Sequence, residues 1–146
     1  MKKFEFKMQK ILDLRQYEQK QAEAELGKAN AEVARIQAKL DDIAHKKAHT
    51  VTTYNTETDF TIVNQIQQFF KVLDIKKEEY LQELVSAQMV ADQKRAVVLE
   101  CMKKTKALEK LREKHLAKWK IEEARKEEVV VDDMVNGRFY SASSGS

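Results

Sequence analysis

The chain has 146 residues, of which 35% are charged, 8% are aromatic, three are glycine and none is proline. Because turns are built largely from Gly and Pro, this composition excludes a compact β or α/β fold of this length and favours very long helices. The formal net charge of +3 is too mildly basic to indicate, by itself, a nucleic-acid partner.

The first predicted helix runs from about residue 4 to about residue 48. Within it, apolar residues recur at alternating steps of four and three, which is the heptad spacing of a coiled coil. This series predicts a hydrophobic seam, the stripe of side chains that packs against a partner helix. Its members are Ala22, Leu26, Ala29, Val33, Ile36, Leu40 and Ile43.

The heptad pattern stops in a threonine-rich stretch, residues 50–58. Threonine is stiff at χ1 and its hydroxyl competes for backbone hydrogen bonds, so it disfavours a helix. Asp59 follows and is of the residue type that caps a helix N-terminus. We therefore predict a hairpin turn over about residues 49–59.

The second predicted helix runs from about residue 60 to about residue 136, where Asn136-Gly137 is a typical helix stop. Eleven of the sixteen positions on its best heptad seam are apolar, against about seven expected by chance, so this signal is weaker than in the first helix. The Ser/Gly-rich residues 141–146 are predicted to be a disordered tail. Seam positions are Ile66, Phe70, Leu73, Lys77, Tyr80, Leu84, Ala87, Ala91, Lys94, Val98, Cys101, Thr105, Leu108, Arg112, His115 and Trp119.

The expected fold is therefore all-α, a single domain over residues 1–140 in which two long helices form an antiparallel coiled-coil hairpin. The second helix is longer and overhangs the first, and Phe4 is expected at the level of residues 104–108. A parallel dimer of continuous helices is the competing architecture, and the threonine-rich break argues against it. A hairpin that buries its own seam is expected to be a monomer.

Residues suited to catalysis or metal binding are few. His45 and His49 have the spacing of two zinc ligands on one helical face, but Lys46 and Lys47 lie between them and repel a cation. Cys101 falls on the predicted seam, where a small buried hydrophobic role is expected. Phosphate-binding glycine loops and nucleophile motifs are absent from the sequence. The chain is predicted not to be an enzyme and to need no cofactor or metal.

Two features suit contacts with other proteins. Residues 103–120 hold eight basic and two acidic residues, a net charge of +6 with His115 neutral, which could be a solvated face, a docking surface for an acidic protein or a nucleic-acid site. Trp119 lies in this segment and fits either an interface or seam packing. Near the turn, Phe69 lies off the seam and fits either a cap on the hairpin end or an exposed patch.

The two ends of the chain resemble a known family. Residues 4–15 read FEFKMQKILDLR and precede an Ala/Glu-rich helix with AEAEL at 22–26. Residues 107–114 read ALEKLREK, and residues 132–139 read DDMVNGRF. These segments are similar to the opening, the C-terminal block and the terminus of the flagellar export protein FliJ family, with Asp133 and Val135 as mild departures.

This resemblance implies a non-enzymatic component of the flagellar type III export apparatus. Members associate with the hexameric export ATPase as a stalk, with the export gate's large membrane protein and with export chaperones, in the cytoplasm at the membrane-embedded apparatus. Carried onto this sequence, the gate-binding residues would be Phe69, Leu73 and Tyr80. The residues at the ATPase-ring end would be Phe4, Phe6, Met134, Val135, Arg138 and Phe139. Independently of the resemblance, Leu108, Leu111 and Trp119 are added to the ring-binding set, because the longer second helix leaves apolar residues without a partner in the chain.

Three alternatives to this interpretation remain at this stage. An injectisome stalk protein shares the hairpin. A generic structural coiled coil would self-associate through its seams and have no export role. A basic nucleic-acid or chaperone-type binder would use residues 103–120 and show a steep salt dependence. The single cysteine, the N-terminus without an apolar run and the lack of any membrane-length apolar stretch together favour a cytoplasmic protein that does not span a membrane.

Overall fold

The structure of the protein, a computed structural model, describes the backbone of residues 2–144 and the side chains of residues 2–138. Two α-helices, α1 (Gln9–Thr53) and α2 (Phe60–Ser144), make up nearly all of it, and no strand occurs in the described chain. The helices pack against each other, so the predicted all-α hairpin with a longer second helix is confirmed. Neither helix has, over its described residues, a stretch apolar enough to cross a membrane.

Helix α1 ends at Thr53, five residues later than predicted. The hydroxyls of Thr50 and Thr53 donate hydrogen bonds to the carbonyl oxygens four residues earlier, each at 2.8 Å. These bonds keep the threonine side chains inside the helical pattern instead of competing with it. The predicted end at about residue 48 was wrong because the helix satisfies the hydroxyls itself.

The turn occupies the residues between Thr53 and Phe60. Asp59 caps α2 as predicted: its side-chain oxygen accepts a hydrogen bond from the backbone N–H of Thr61 at 2.9 Å, and its carbonyl accepts the first helical bond, from Val63, at 3.0 Å. Backbone N–H groups at a helix start lack partners within the helix, so this cap sets where α2 begins.

The far end of α2 also differs from expectation. The helix continues through Asn136 and Gly137 to Ser144 and so includes much of the predicted disordered tail, whose last two residues lie outside the described chain. Gly137 keeps an ordinary negative φ and does not form the left-handed cap that ends many helices. The predicted stop at residue 136 was wrong because Asn-Gly lowers helix propensity without blocking the helical backbone.

Backbone contacts group the chain into two compact units: a turn unit, Glu18–Cys101, and a terminal unit made of the residues before and after it. In the turn unit, every predicted α1 seam position is buried or half-buried, and Ile36 is only 1% exposed. The α2 seam faces it with Leu73, Ala91 and Val98 buried. These side chains form the dry interface that stabilises the pairing of the helices.

Ion pairs between the helices of the turn unit lie at the edges of this seam. Arg35 approaches Glu83 at 3.8 Å, and Lys47 forms a salt bridge with Asp74 and sits over the ring of Phe70. Lys47 follows Arg35 along α1, whereas its partner Asp74 precedes Glu83 along α2, which is the order expected for antiparallel helices. Exposed pairs of this kind contribute little stability, so they specify register more than they strengthen the fold.

Candidate partner-binding surfaces

Aromatic side chains from both ends of the chain meet in the terminal unit. The Phe4 ring lies 5.9 Å from the Trp119 ring, and the Phe6 ring meets the His115 ring edge-on at 5.5 Å, both measured between ring centroids. The Arg112 guanidinium sits 5.5 Å from the centre of the Phe4 ring, within cation–π range. We call Phe4, Phe6, Arg112, His115 and Trp119 the aromatic cluster.

The backbone explains how the cluster forms. Residues 2–6 are not helical, and α1 begins after the N–H of Gln9 bonds the carbonyl of Phe6 at 3.0 Å. Because this segment is not helical, Phe4 and Phe6 are not held on different helix faces, and both rings meet side chains of α2. Arg112 donates to the side-chain oxygen of Gln9 at 3.1 Å and ties the helix start to α2. The predicted helix start at residue 4 was wrong.

Phe4 meets α2 further along the helix than expected. Its ring packs on Trp119 and not at the level of residues 104–108. Gln9 at the start of α1 already contacts Arg112, so the non-helical residues before it account for only a small part of this difference. The part of α2 that extends past the first chain segment therefore begins after Trp119. We call residues 120–144 the C-terminal extension.

Several residues that were assigned to binding the ATPase ring belong to the aromatic cluster. Phe6 is 7% exposed and packs on His115, and the half-buried Phe4 and Trp119 pack on each other. Leu108 and Leu111 are half-buried on α2 in the same unit. The spacing of Phe4 and Phe6 could have indicated a non-helical segment, because a helix would place them on different faces.

We predict that replacing Phe4 with alanine will move the fluorescence emission of Trp119 to longer wavelength, because the indole loses the ring that shields it from water. Trp119 is the single tryptophan of the chain, so the signal is unambiguous. Phe60 is 81% exposed in the turn unit, and Phe60→Ala is the matched control that should leave the spectrum unchanged. Identical spectra for wild type and Phe4→Ala would contradict the packing of Phe4 on Trp119.

The C-terminal extension presents apolar side chains to solvent. The exposed fractions of six such side chains lie between 55% and 59%. Apolar side chains that are grouped along one helix and more than half exposed are typical of an interaction site. Arg138 is exposed beside it, and the side chain of Phe139 lies outside the described residues. The six residues are Ile121, Val129, Val130, Val131, Met134 and Val135.

Charge changes sign between the two parts of α2 in the terminal unit. Residues 103–120 have a net charge of +6, and all of their basic side chains except Arg112 are exposed. Residues 121–138 hold six acidic and three basic residues, a net charge of −3. The two stretches therefore favour partners of opposite charge: acidic for the first and basic for the second.

The three residues assigned to the export gate lie in the turn unit with different accessibilities. Phe69 is 42% exposed and its ring lies 6.3 Å from the Phe70 ring. Tyr80 is half-buried. Leu73 is 4% exposed, so its side chain belongs to the interface between the helices and is not presented to a partner.

An open groove of about 610 Å³ runs beside the seam in the turn unit. Hydrogen bonds from Arg35, the shorter at 2.8 Å, hold the pKa of the Glu32 carboxyl below its ordinary value. The resulting stabilisation exists above the ordinary carboxyl pKa and is lost on acidification, and on this exposed pair it is small. No histidine or cysteine lines the groove, so it offers no paired nucleophile and imidazole base. Its lining is Glu32, Ile36, Glu79, Gln82, Glu83, Ser86, Ala87 and Val90.

The remaining residues considered for metal binding or catalysis are two histidines of α1 and the cysteine of α2. His45 and His49 are exposed on α1, and Cys101 is half-buried on α2. Among the residues whose side chains are described, no group of three or more His, Cys, Asp or Glu is arranged to hold a metal ion.

The chain was compared with known protein families, curated proteins and solved structures. The family model described as flagellar FliJ protein matches residues 4–144, which is nearly the whole chain. No curated protein and no solved structure matches the chain. The match includes both chain ends, where the resemblance to FliJ was read from the sequence, and the hairpin between them. The chain therefore belongs to the flagellar FliJ family, whose members are non-enzymatic components of flagellar protein export.

Proposed function

We propose that this protein is a stalk component of the flagellar type III export apparatus that binds the hexameric export ATPase and promotes its assembly or activity without hydrolysing ATP itself. Membership of the FliJ family is the observation that carries this proposal. The protein would act in the cytoplasm, associated peripherally with the export apparatus in the membrane.

The terminal unit supplies the surface for the ATPase ring. Its C-terminal extension has an exposed apolar stripe, and a partner that covers this stripe only when the ring is closed would stabilise the hexamer over separate subunits. Trp119 borders the extension and would join the contact at its base, whereas Leu108 and Leu111 lie about 14 to 18 Å further back along α2, where a partner that reaches past the base would meet them. The buried Phe6 ring positions the N-terminal segment and would not itself touch the ring of ATPase subunits.

The turn unit supplies the contact with the export gate. Phe69 and Tyr80 retain exposed surface and are the residues we assign to it, whereas the buried Leu73 would act by holding α2 in place. Export chaperones are the third class of partner. The exposed basic residues of the segment 103–120 give an acidic chaperone surface a place to dock.

The test is to mix the purified chain with its cognate flagellar export ATPase and to measure hexamer formation by light scattering and the rate of ATP hydrolysis. We expect the chain to increase both and to hydrolyse no ATP alone. The contrary result is an ATPase whose hexamer formation and hydrolysis rate do not change, together with an apparent mass of the chain that rises with its own concentration. That result would favour the self-associating coiled coil over this proposal. Binding to polyanions that falls steeply with salt would instead favour the nucleic-acid alternative.

A further inference from the structure

The last part of α2 is helical although its sequence opposes a helix. Residues 129–137 read VVVDDMVNG, and every one except Met134 belongs to the weaker helix formers. Valine loses side-chain freedom in a helix, and Asp and Asn compete for backbone hydrogen bonds. Gly137 adds the largest loss of backbone freedom. Local propensity therefore does not account for this helix.

Packing within the chain does not account for it either. Every side chain from 129 to 138 is exposed, and an added Cβ at Gly137 would meet nothing within 4 Å. Helices in proteins are stabilised mainly by burial of an apolar face. The segment continues α2 and needs no new helix nucleus, but no burial of its side chains within the chain adds to its stability, so contacts with another molecule would stabilise it.

The helical form arranges the segment for docking. At 100° per residue, Val130, Val131, Met134 and Val135 fall on one arc about 140° wide, while Val129 points to the other side. Asp132 and Asp133 flank this arc, whereas Glu127 and Arg138 lie on the same face before and after the four apolar side chains. A partner that fits this face has an apolar groove with lysine or arginine along its rims.

We infer that residues 129–138 are only a marginal helix in the free chain and become a stable one when they dock into an apolar, basic-rimmed groove on the partner, so that binding and ordering of this segment are coupled. The identity of the partner, the export ATPase, rests on the proposed function. The coupling itself rests on the conflict between the sequence of the segment and its unpacked helix. Weak intrinsic helicity would make docking reversible, because part of the contact energy is used to order the segment.

Hydrogen–deuterium exchange on the full chain tests the first half of the inference. Without partner, amides in 129–138 should exchange nearly as fast as an unfolded chain, while those around the buried Ile36 should be strongly protected. Saturation with the cognate export ATPase should protect 129–138. Strong protection of these amides in the free chain would overturn the inference, whatever the ATPase does.

Two glycine substitutions test the second half. Gly137→Ala adds no contact but favours the helix before binding, so the ATPase should bind this variant about three- to five-fold more tightly. Gly27 lies in the paired part of α1 with equally open space, and Gly27→Ala should raise the melting temperature of the hairpin while leaving affinity unchanged. Unchanged or weaker ATPase binding by Gly137→Ala would overturn the coupling.

A third variant separates preorganisation from contact. Val130→Ala raises helix propensity but removes apolar surface from the docking face, so it should bind the ATPase more weakly than wild type even though its free segment is more helical. Tighter binding of Val130→Ala would contradict the assigned face. If the wild-type chain fails to bind the ATPase, the proposed function and this choice of partner fall together, a result distinct from protected amides in the free chain.

Discussion

Replacing Ile36 with aspartate is expected to lower the free energy of unfolding by about 4 kcal/mol or more. Ile36 is 1% exposed, the most completely buried side chain among the described residues, and it lies on the α1 seam facing α2. The substitution removes an apolar side chain from the interface and places a carboxylate where water cannot reach it. Ile36 lies in the turn unit, whose helices pair through this seam, so the loss falls on the interface that stabilises the unit.

Urea unfolding followed by circular dichroism at 222 nm measures this effect. Gln37→Asp is the matched control, because it introduces the same residue one position away on the exposed side of α1. Surface changes of this kind alter stability by about 0.5 kcal/mol or less. Equal midpoints for the two variants would show that the seam of α1 is not the stabilising interface.

Removing the residues after Lys120 is expected to abolish stimulation of the export ATPase while leaving the melting of the hairpin nearly unchanged. The truncation removes the exposed apolar side chains of the C-terminal extension and leaves Leu108, Leu111 and Trp119 in place. The contact between Phe4 and Trp119 therefore stays intact. Hydrolysis rates with saturating truncated chain, and its melting curve by circular dichroism, measure the two parts. A truncated chain that stimulates as well as the full one would move the ring contact to the paired region.

Single substitutions sharpen this prediction. Val131→Asp and Val129→Asp change two valines of nearly equal exposure on opposite sides of the same helix. Only Val131 lies on the arc assigned to docking, so Val131→Asp should reduce the maximal stimulation far more than Val129→Asp. Equal losses would indicate that the charge acts through helix formation and not through a docking face.

Much of the hairpin could be predicted because the signals that specify it, a heptad repeat, a turn composition and a helix cap, lie within short stretches of sequence. The heptad from Ala22 to Ile43 needs a partner helix, and the threonine-rich break offers a turn that brings one back. Asp59 could be assigned as the helix cap from its residue type and position, and the hydrogen bond to Thr61 confirms it. Family membership was readable from motifs at both ends of the chain and agrees with the match to FliJ.

Helix ends were less predictable because weak preferences decide them. The hydroxyls of Thr50 and Thr53 bond to carbonyls within α1, and Gly137 remains in a helical conformation, so neither signal stopped its helix. Each preference is worth about 1 kcal/mol or less, which neighbouring backbone bonds can outweigh.

The amino-acid sequence by itself determined the class of fold, the seam of α1 and the family, since these depend on spacing along one chain segment. The heptad placed Thr105 and Arg112 on the α2 seam, but only the tertiary structure decided that Thr105 is buried there and that Arg112 reaches the ring of Phe4. It likewise decided that Phe4 packs against Trp119 and Phe6 against His115. Periodicity describes which face of a helix a residue occupies, whereas the pairing of two helices also depends on where the turn ends and where each helix begins.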